Sequence, residues 1–536
     1  MPKNDVNVLM VFPRFSPNSF WNYWETCAVA GRRYSATPLG LITVAALLPE
    51  EWSVRLVDRN IEELPDGDLE WADLVMIGSM LPQQADTKQV IALAHARNRP
   101  VVLGGPDVTC SPSVYEEVEF RILGEAEEIM ADFLAAWRRG DRRGIFVSRT
   151  FPSLHGSPPP RFDLLKLQHY MNVGVQYSRG CPFNCEFCNI IELNGRVPRF
   201  KTNEQMFREL DALYELGYRG HVDFVDDNLI GSQKIVRPFL VALCGWNERR
   251  GHPFAFSANT SLNLADSDEI LGLMRRSGFF AIFIGVETPD TRTLLSVKKR
   301  QNAGRDFAES IYKIYRAGIF VNAGFIIGFD AETDSVAQAM TQCIEEMAIP
   351  ICMVGLLYAL PNTQLSRRLH QEGRLHADSD RLATDDDADQ CTSGLNFDTL
   401  RPRSDILRDY RAVLRSIYHP ASFFGRVRRM ARTLDPIPDR LPNVLPRLWR
   451  DIQSFLRISW RLGIRDPEVC GPYWRALVDC FLHNPPAFRT VISFAALYLH
   501  LKPFAGFMDA RLREQIGAHP SPDASPALRR ARSMQE

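Results

Sequence analysis

Three cysteines crowd one short stretch of the chain, Cys181, Cys185 and Cys188, in a C-x3-C-x2-C spacing. Thiolates are soft ligands that suit iron-sulfur clusters and zinc, and such close spacing lets one loop wrap a single metal centre. A four-iron cluster usually takes four thiolates, so three leave one iron open for a substrate. The alternatives are buried core thiols or a zinc site completed by a distant histidine such as His221. Zinc knuckles, however, more often use paired C-x2-C units than this triplet. No second cluster has its ligands. Only Cys27 and Cys110 precede residue 149, and Cys391, Cys470 and Cys480 lie far apart.

The triplet follows a strand-like run at 173–178. Five more runs, at 222–226, 254–257, 280–286, 320–327 and 351–358, alternate with helical patterns at 204–216, 235–246, 267–276, 306–316 and 333–347. Six such units predict a partial (β/α)6 barrel with its chemistry at the carboxyl ends of the strands, the face on which the cysteine loop lies. Asp226, Asn259, Gly285, Glu287 and Gly328 stand at other strand ends on that face.

Ahead of the barrel, strands at 6–12, 53–58, 74–78, 101–104 and 120–123 alternate with helices at 39–48, 84–96 and 126–137. That pattern predicts a doubly wound, Rossmann-like parallel sheet, which binds ligands at the carboxyl ends of its strands. Arg14, Gly78, Ser79, Gly104, Gly105, Gly124 and Glu125 sit there. Glycine lets the backbone approach a bulky ligand, and strand-to-helix turns account for each position singly. The chain is therefore α/β with a mostly α-helical carboxyl-terminal region. The expected boundaries are 1–148 for the first domain, 149–166 for a proline-rich linker, 167–375 for the barrel, 376–519 for the helical region and 520–536 for a disordered tail. In the helical region, stretches at 406–418, 444–462 and 473–482 follow an acidic loop at 377–389. Arg426, Arg428, Arg429 and Arg432 form either a lipid-headgroup site or a solvated helix face.

Hydrophobic residues make up 45% and charged ones 24%, as in soluble globular proteins. The net charge of -1 gives no field to recruit nucleic acid. The start of the chain lacks a signal-peptide pattern, so a cytoplasmic protein is expected. No apolar run approaches the roughly 20 residues that span a bilayer, the nearest being 491–501.

The cysteine spacing resembles the signature of radical S-adenosylmethionine (radical SAM) enzymes. The resemblance implies a [4Fe-4S] cluster on Cys181, Cys185 and Cys188 whose open iron chelates S-adenosylmethionine. It also implies contacts to that molecule from Phe187, Asp226, Asn259, Gly285, Glu287 and Gly328. With the preceding Rossmann-like domain, the chain resembles the cobalamin-dependent (class B) branch. Arg14, Gly78, Ser79, Gly104, Gly105, Gly124 and Glu125 would then face cobalamin, without the D-x-H-x-x-G histidine, since the region's one histidine is His95.

The runs 171–181, 220–228 and 352–363 look closer still to the hopanoid C-2 methylase group, over roughly residues 1 to 430. Asn189 and Asn259 depart from it, each an amide where that group often carries a carboxylate, which leaves room for another substrate. The implied reaction methylates an unactivated carbon of an apolar substrate, a membrane triterpenoid in that group, and yields S-adenosylhomocysteine, 5'-deoxyadenosine and methionine. A one-electron donor such as flavodoxin or ferredoxin and peripheral contact with the inner face of the membrane are the implied partners. A rearranging or cyclising cobalamin enzyme and a cobalamin/iron-sulfur sensor are the rivals.

Overall fold

The computed structural model describes residues 5–377, 394–437 and 445–518, with the backbone alone at 445–448 and 518. Nearly all of the acidic stretch 377–389, Cys391 and the tail 520–536 lie outside the described residues.

Runs of Val, Ile, Leu and Met too apolar to face water on either side form the first sheet. Its strands are β1 (Asn7–Phe12), β2 (Ser53–Asp58), β3 (Leu74–Gly78), β4 (Val101–Gly104), β5 (Phe120–Leu123) and β6 (Gly144–Val147). They are all parallel, in the order β2-β1-β3-β4-β5-β6. β6, a four-residue edge strand, went unread in the sequence; its Ile145 and Val147 point to solvent.

The second sheet runs in sequential order through β7 (Asn172–Val175), β8 (Gly220–Phe224), β9 (Phe254–Thr260), β10 (Phe279–Glu287), β11 (Phe320–Ile327) and β12 (Cys352–Leu356), again all parallel. An open barrel results. Val222, Phe224, Phe254, Phe256 and Phe279 are buried in its core, while His221, Asp223, Ser257, Asn259 and Phe280, on the alternate positions of β8 to β10, line the lumen. The first barrel strand is shorter than its apolar run, because Ser178–Arg179 leaves the sheet to pair antiparallel with Arg199–Phe200.

The carboxyl-terminal helices are α1 (Arg403–Ile417), α2 (Pro420–Thr433), α3 (Leu445–Gly463), α4 (Pro467–His483) and α5 (Phe488–Ala518). The apolar run at 491–501 sits inside the much longer α5. The stretch Pro485–Gly517 is long and apolar enough to cross a membrane by length and composition, but half of its apolar 18-residue window is buried inside the fold. There His500 meets the Phe20 carbonyl, and Thr26 donates to the Ala496 carbonyl.

The arginines of α2 are all engaged in ion pairs, although Arg429 and Arg432 remain exposed. Arg426 is fully buried and pairs with Glu345, as does Arg429, while Arg428 and Arg432 converge on Asp479 of α4. These arginines tie α2 to its neighbours.

Candidate active site

Two adjacent carboxylates at the end of β8 fold the cysteine loop. Asp226 accepts from the backbone of Tyr177 and from the backbone and hydroxyl of Ser178, at 3.0, 2.5 and 2.5 Å. Asp227 accepts from the Gly180 amide at 2.7 Å and the Asn194 side chain at 3.0 Å. Burial lifts Asp226 to about 7 against those donors. Gly180 is required between them: its φ is +99°, and a Cβ would stand 2.9 Å from the Asn194 carbonyl oxygen.

A second clamp reaches in from the first domain. Arg179 pairs with Glu125 at 2.8 Å and Glu127 at 2.7 Å, and Arg199 pairs with Glu125 at 2.6 Å, all four side chains being at most 14% exposed. Burial alone would raise Glu127, but Arg179 beside it holds the carboxyl below its usual range.

Cys181, Cys185 and Cys188 are free and line one cavity. Burial pushes all three thiols up, Cys188 to about 12, so each awaits a Lewis acid to displace its proton. Three thiols of one loop facing a single cavity give a soft donor set that would fit three corners of an iron-sulfur cube. His221, the distant zinc candidate, is on β8 and is engaged by Ser257 at 2.6 Å.

Opposite the loop, Lys299 pairs with Glu287 at 2.7 Å, and the Gln301 amide donates to the Cys185 sulfur at 3.6 Å. Burial alone would lower Lys299, but Glu287 and Cys185 hold it above its usual value. Nothing in the sequence marked Lys299 or Gln301, which a non-local loop delivers.

The structure brings Phe187, Asp226, Asn259, Gly285 and Glu287 to the same cavity. The Asp226 carboxylate is spent on the loop, and the Asn259 amide donates to the Asp226 carbonyl. Gly328 stands apart. Its amide donates to Glu332 at 2.9 Å, and a Cβ there would strike Leu395 at 2.7 Å. Asn189, next to Cys188, stands beside the half-buried thiol of Cys110 from the first domain. A carboxylate at 189 would set a charge against that thiol.

The carboxyl ends of both sheets face this cavity. From the first domain, Phe15, Met80, Leu81, Pro106 and Cys110 reach it. The strand-end residues proposed for cobalamin lie just behind. A Cβ on Gly105 would meet the Ser79 carbonyl oxygen at 2.5 Å, and Gly78 and Gly104 back onto Leu41 and Ile122. Gly124 backs onto Ser148, Glu125 is held by its arginines, and Arg14 turns outward to Glu63. The buried hydroxyls of Ser79 and Ser111 have no partner among the described residues. A mostly apolar crevice with orphaned hydroxyls fits a large, amide-fringed ring. His95 is bonded to Glu119, away from that crevice.

The cavity measures about 2230 Å³ and continues through the barrel lumen, past Trp21, Phe280, Phe283 and Phe320, to Phe455 of α3 and Phe488 of α5. A polar relay interrupts these walls. Ser257 donates to Asp223, so its oxygen must accept from Nε2 of His221. Burial lowers His221, which leaves it neutral with Nδ1 as an acceptor that has no partner among the described residues.

Comparison with known proteins agrees with this geometry. The B12 binding domain model matches residues 25–134, the radical SAM superfamily model residues 175–343, and a domain of unknown function residues 363–514. An uncharacterized methyltransferase of Synechocystis sp. is 38% identical, over 95% of this chain and 94% of the relative. The hopanoid C-2 methylase of Rhodopseudomonas palustris is 34% identical, over 85% and 86%.

The chain belongs to the cobalamin-dependent radical SAM methyltransferases. Membership brings three cofactors: a [4Fe-4S] cluster, S-adenosylmethionine and cobalamin. The fold of this methyltransferase is shared with the cobalamin-dependent radical enzyme OxsB, solved with aqua-cobalamin and S-adenosylmethionine bound. The TM-score is 0.59 at 14% identity, over 98% of this chain and 83% of that one. It is also shared with the methyltransferase TsrM of Kitasatospora setae, at a TM-score of 0.57 and 15% identity over 89% and 100%.

Proposed function

We propose that this methyltransferase acts on an unactivated carbon of a large apolar polycyclic lipid, with a hopanoid at C-2 as the acceptor. The observation that carries the reading is the cavity, whose aromatic walls continue from the cysteine loop through the lumen to α3 and α5. Away from the His221 relay, an acceptor's polar groups would be left unpaired against Phe280, Phe283 and Phe320. The 34% identity to the Rhodopseudomonas palustris enzyme points to the same class.

When bound, the cluster, S-adenosylmethionine and cobalamin supply the one-electron cleavage and the methyl group. The chain's own residues hold, align and exclude water. Cys181, Cys185 and Cys188 hold the cluster on a loop fixed by Asp226, Asp227 and Glu125. Phe187, Asn259, Gly285 and Glu287 border the place for S-adenosylmethionine, with Lys299 paired to Glu287. Met80, Leu81 and Cys110 border the place for cobalamin. A small one-electron donor such as flavodoxin or ferredoxin reduces the enzyme, which works in the cytoplasm against the inner face of the membrane.

The test is anaerobic incubation of reconstituted enzyme with cobalamin, methyl-labelled S-adenosylmethionine and a hopene-type lipid. A mass gain of one labelled methyl at C-2 is expected. No gain, with turnover on another scaffold, would remove the hopanoid assignment.

A further inference from the structure

The hairpin of α3 and α4 exposes an apolar face that the described residues leave uncovered. On α3, Trp449, Ile452, Leu456 and Trp460 recur at helical spacing, and Ile464 follows in the turn. On α4, Trp474, Val478, Phe481 and Leu482 do the same. Their exposure runs from 39% for Trp474 to 69% for Leu482. Soluble proteins scatter such residues singly, and stripes on paired helices mark a surface that meets something apolar. The buried sides of the same helices carry Ile458, Leu462, Tyr473 and Leu477, so the core does not need the outer set.

Charge selects the occupant. Arg450, Arg457, Arg465 and Arg475 are exposed on or between these helices, and their guanidinium groups make no ion pair with a described residue. The acids nearby are engaged: Asp451 with Arg489, Asp466 and Glu468 with Lys502, and Asp479 with the arginines of α2. Tryptophan and leucine beside uncompensated arginine is the composition of a helix lying in the headgroup region of an anionic bilayer. The face is also continuous with the cavity, because Ile452 is 41% exposed and lines it together with Phe455 and Ile458.

We propose that the α3–α4 hairpin docks this enzyme on the surface of an anionic lipid bilayer, with the cavity opening beside the membrane so that an apolar acceptor enters without crossing water. The inference deepens the proposed function and rests on a lipid acceptor. The arginines of α2 take no part, since they are locked in ion pairs.

The test is sedimentation of the reconstituted full chain with phosphatidylcholine vesicles with and without phosphatidylglycerol, alongside tryptophan fluorescence. Wild type is expected to pellet with the anionic vesicles and to shift its emission to the blue. Trp449→Glu with Trp460→Glu should weaken binding about tenfold or more, and Arg457→Gln with Arg475→Gln should remove the preference for phosphatidylglycerol. Unchanged circular dichroism and cluster absorbance show that the variants fold. Equal pelleting of wild type and the glutamate variant overturns the proposal. So does a concentration-dependent dimer that the same substitutions abolish, which would make the face a subunit interface. Vesicle binding needs no methyl acceptor, so a protein that binds vesicles but methylates another scaffold overturns the hopanoid reading alone.

Discussion

Lys299 stands 2.7 Å from Glu287, both side chains buried, at the wall facing the cysteine loop. Glu287 holds a left-handed backbone with φ of 68°, a conformation costly for a residue with a Cβ and typical of functional sites. Two positions before it only glycine fits: a Cβ on Gly285 would lie 2.3 Å from the Glu287 carboxylate and 3.0 Å from the Lys299 ammonium. Removing one member of a buried pair strands the other's charge, which costs about 3–5 kcal/mol. Lys299→Met should therefore lower the unfolding midpoint sharply and weaken S-adenosylmethionine binding, measured by calorimetry and equilibrium dialysis. Lys299→Met together with Glu287→Gln should recover stability but not binding.

Glu125 separates two accounts of the first domain. Sequence placed it at a cobalamin contact, whereas the structure gives it to Arg179 and Arg199. Glu125→Ala should cost about 3–5 kcal/mol and release iron from the reconstituted protein, while cobalamin binding by absorbance holds. Loss of cobalamin with the cluster intact would restore the earlier assignment.

The interface between the domains carries a pH dependence. Tyr170 of the barrel side donates to Asp58 of the first domain at 2.8 Å, and burial raises Asp58 from 3.8 to about 6. A raised carboxyl favours the folded state while protonated. Its contribution is full below about pH 4 and disappears as pH rises through about 6, a change on the order of 3 kcal/mol. Asp58→Asn, which never ionises, should flatten the thermal midpoint between those values, measured by scanning calorimetry.

The lumen offers a lone pair at His221 among aromatic walls. A ligand hydroxyl that meets it gains about 0.5–1.5 kcal/mol. His221→Phe should raise the KM of a hydroxylated polycyclic acceptor about 3- to 10-fold and leave that of its hydrocarbon counterpart unchanged. Equal effects on both would show that the imidazole serves only the wall.

Most of the architecture was legible because parallel strands buried on both faces read as unbroken apolar runs, and because the cluster ligands are local in sequence. β11 lies where its run of apolar residues put it. What escaped were relations between distant residues. Lys299 and Gln301 arrive on a loop more than a hundred positions from the cysteines they face. Glu125 reads as a strand-end acid until Arg179 folds against it. Arg426 to Arg432 look like a basic surface until Glu345 and Asp479 are seen beneath them. Ser493 and His500 interrupt the apolar run of α5, although tertiary packing carries the helix through both and on past Pro503.

Quantifying metal and products in oxygen-free protein tests the central claim most directly. Wild type should hold about four irons per chain and release S-adenosylhomocysteine and 5'-deoxyadenosine in equal amounts as acceptor is methylated, and replacing Cys181, Cys185 and Cys188 by alanine should abolish both. Zinc at those thiols, or undiminished methylation by the triple variant, would contradict the account.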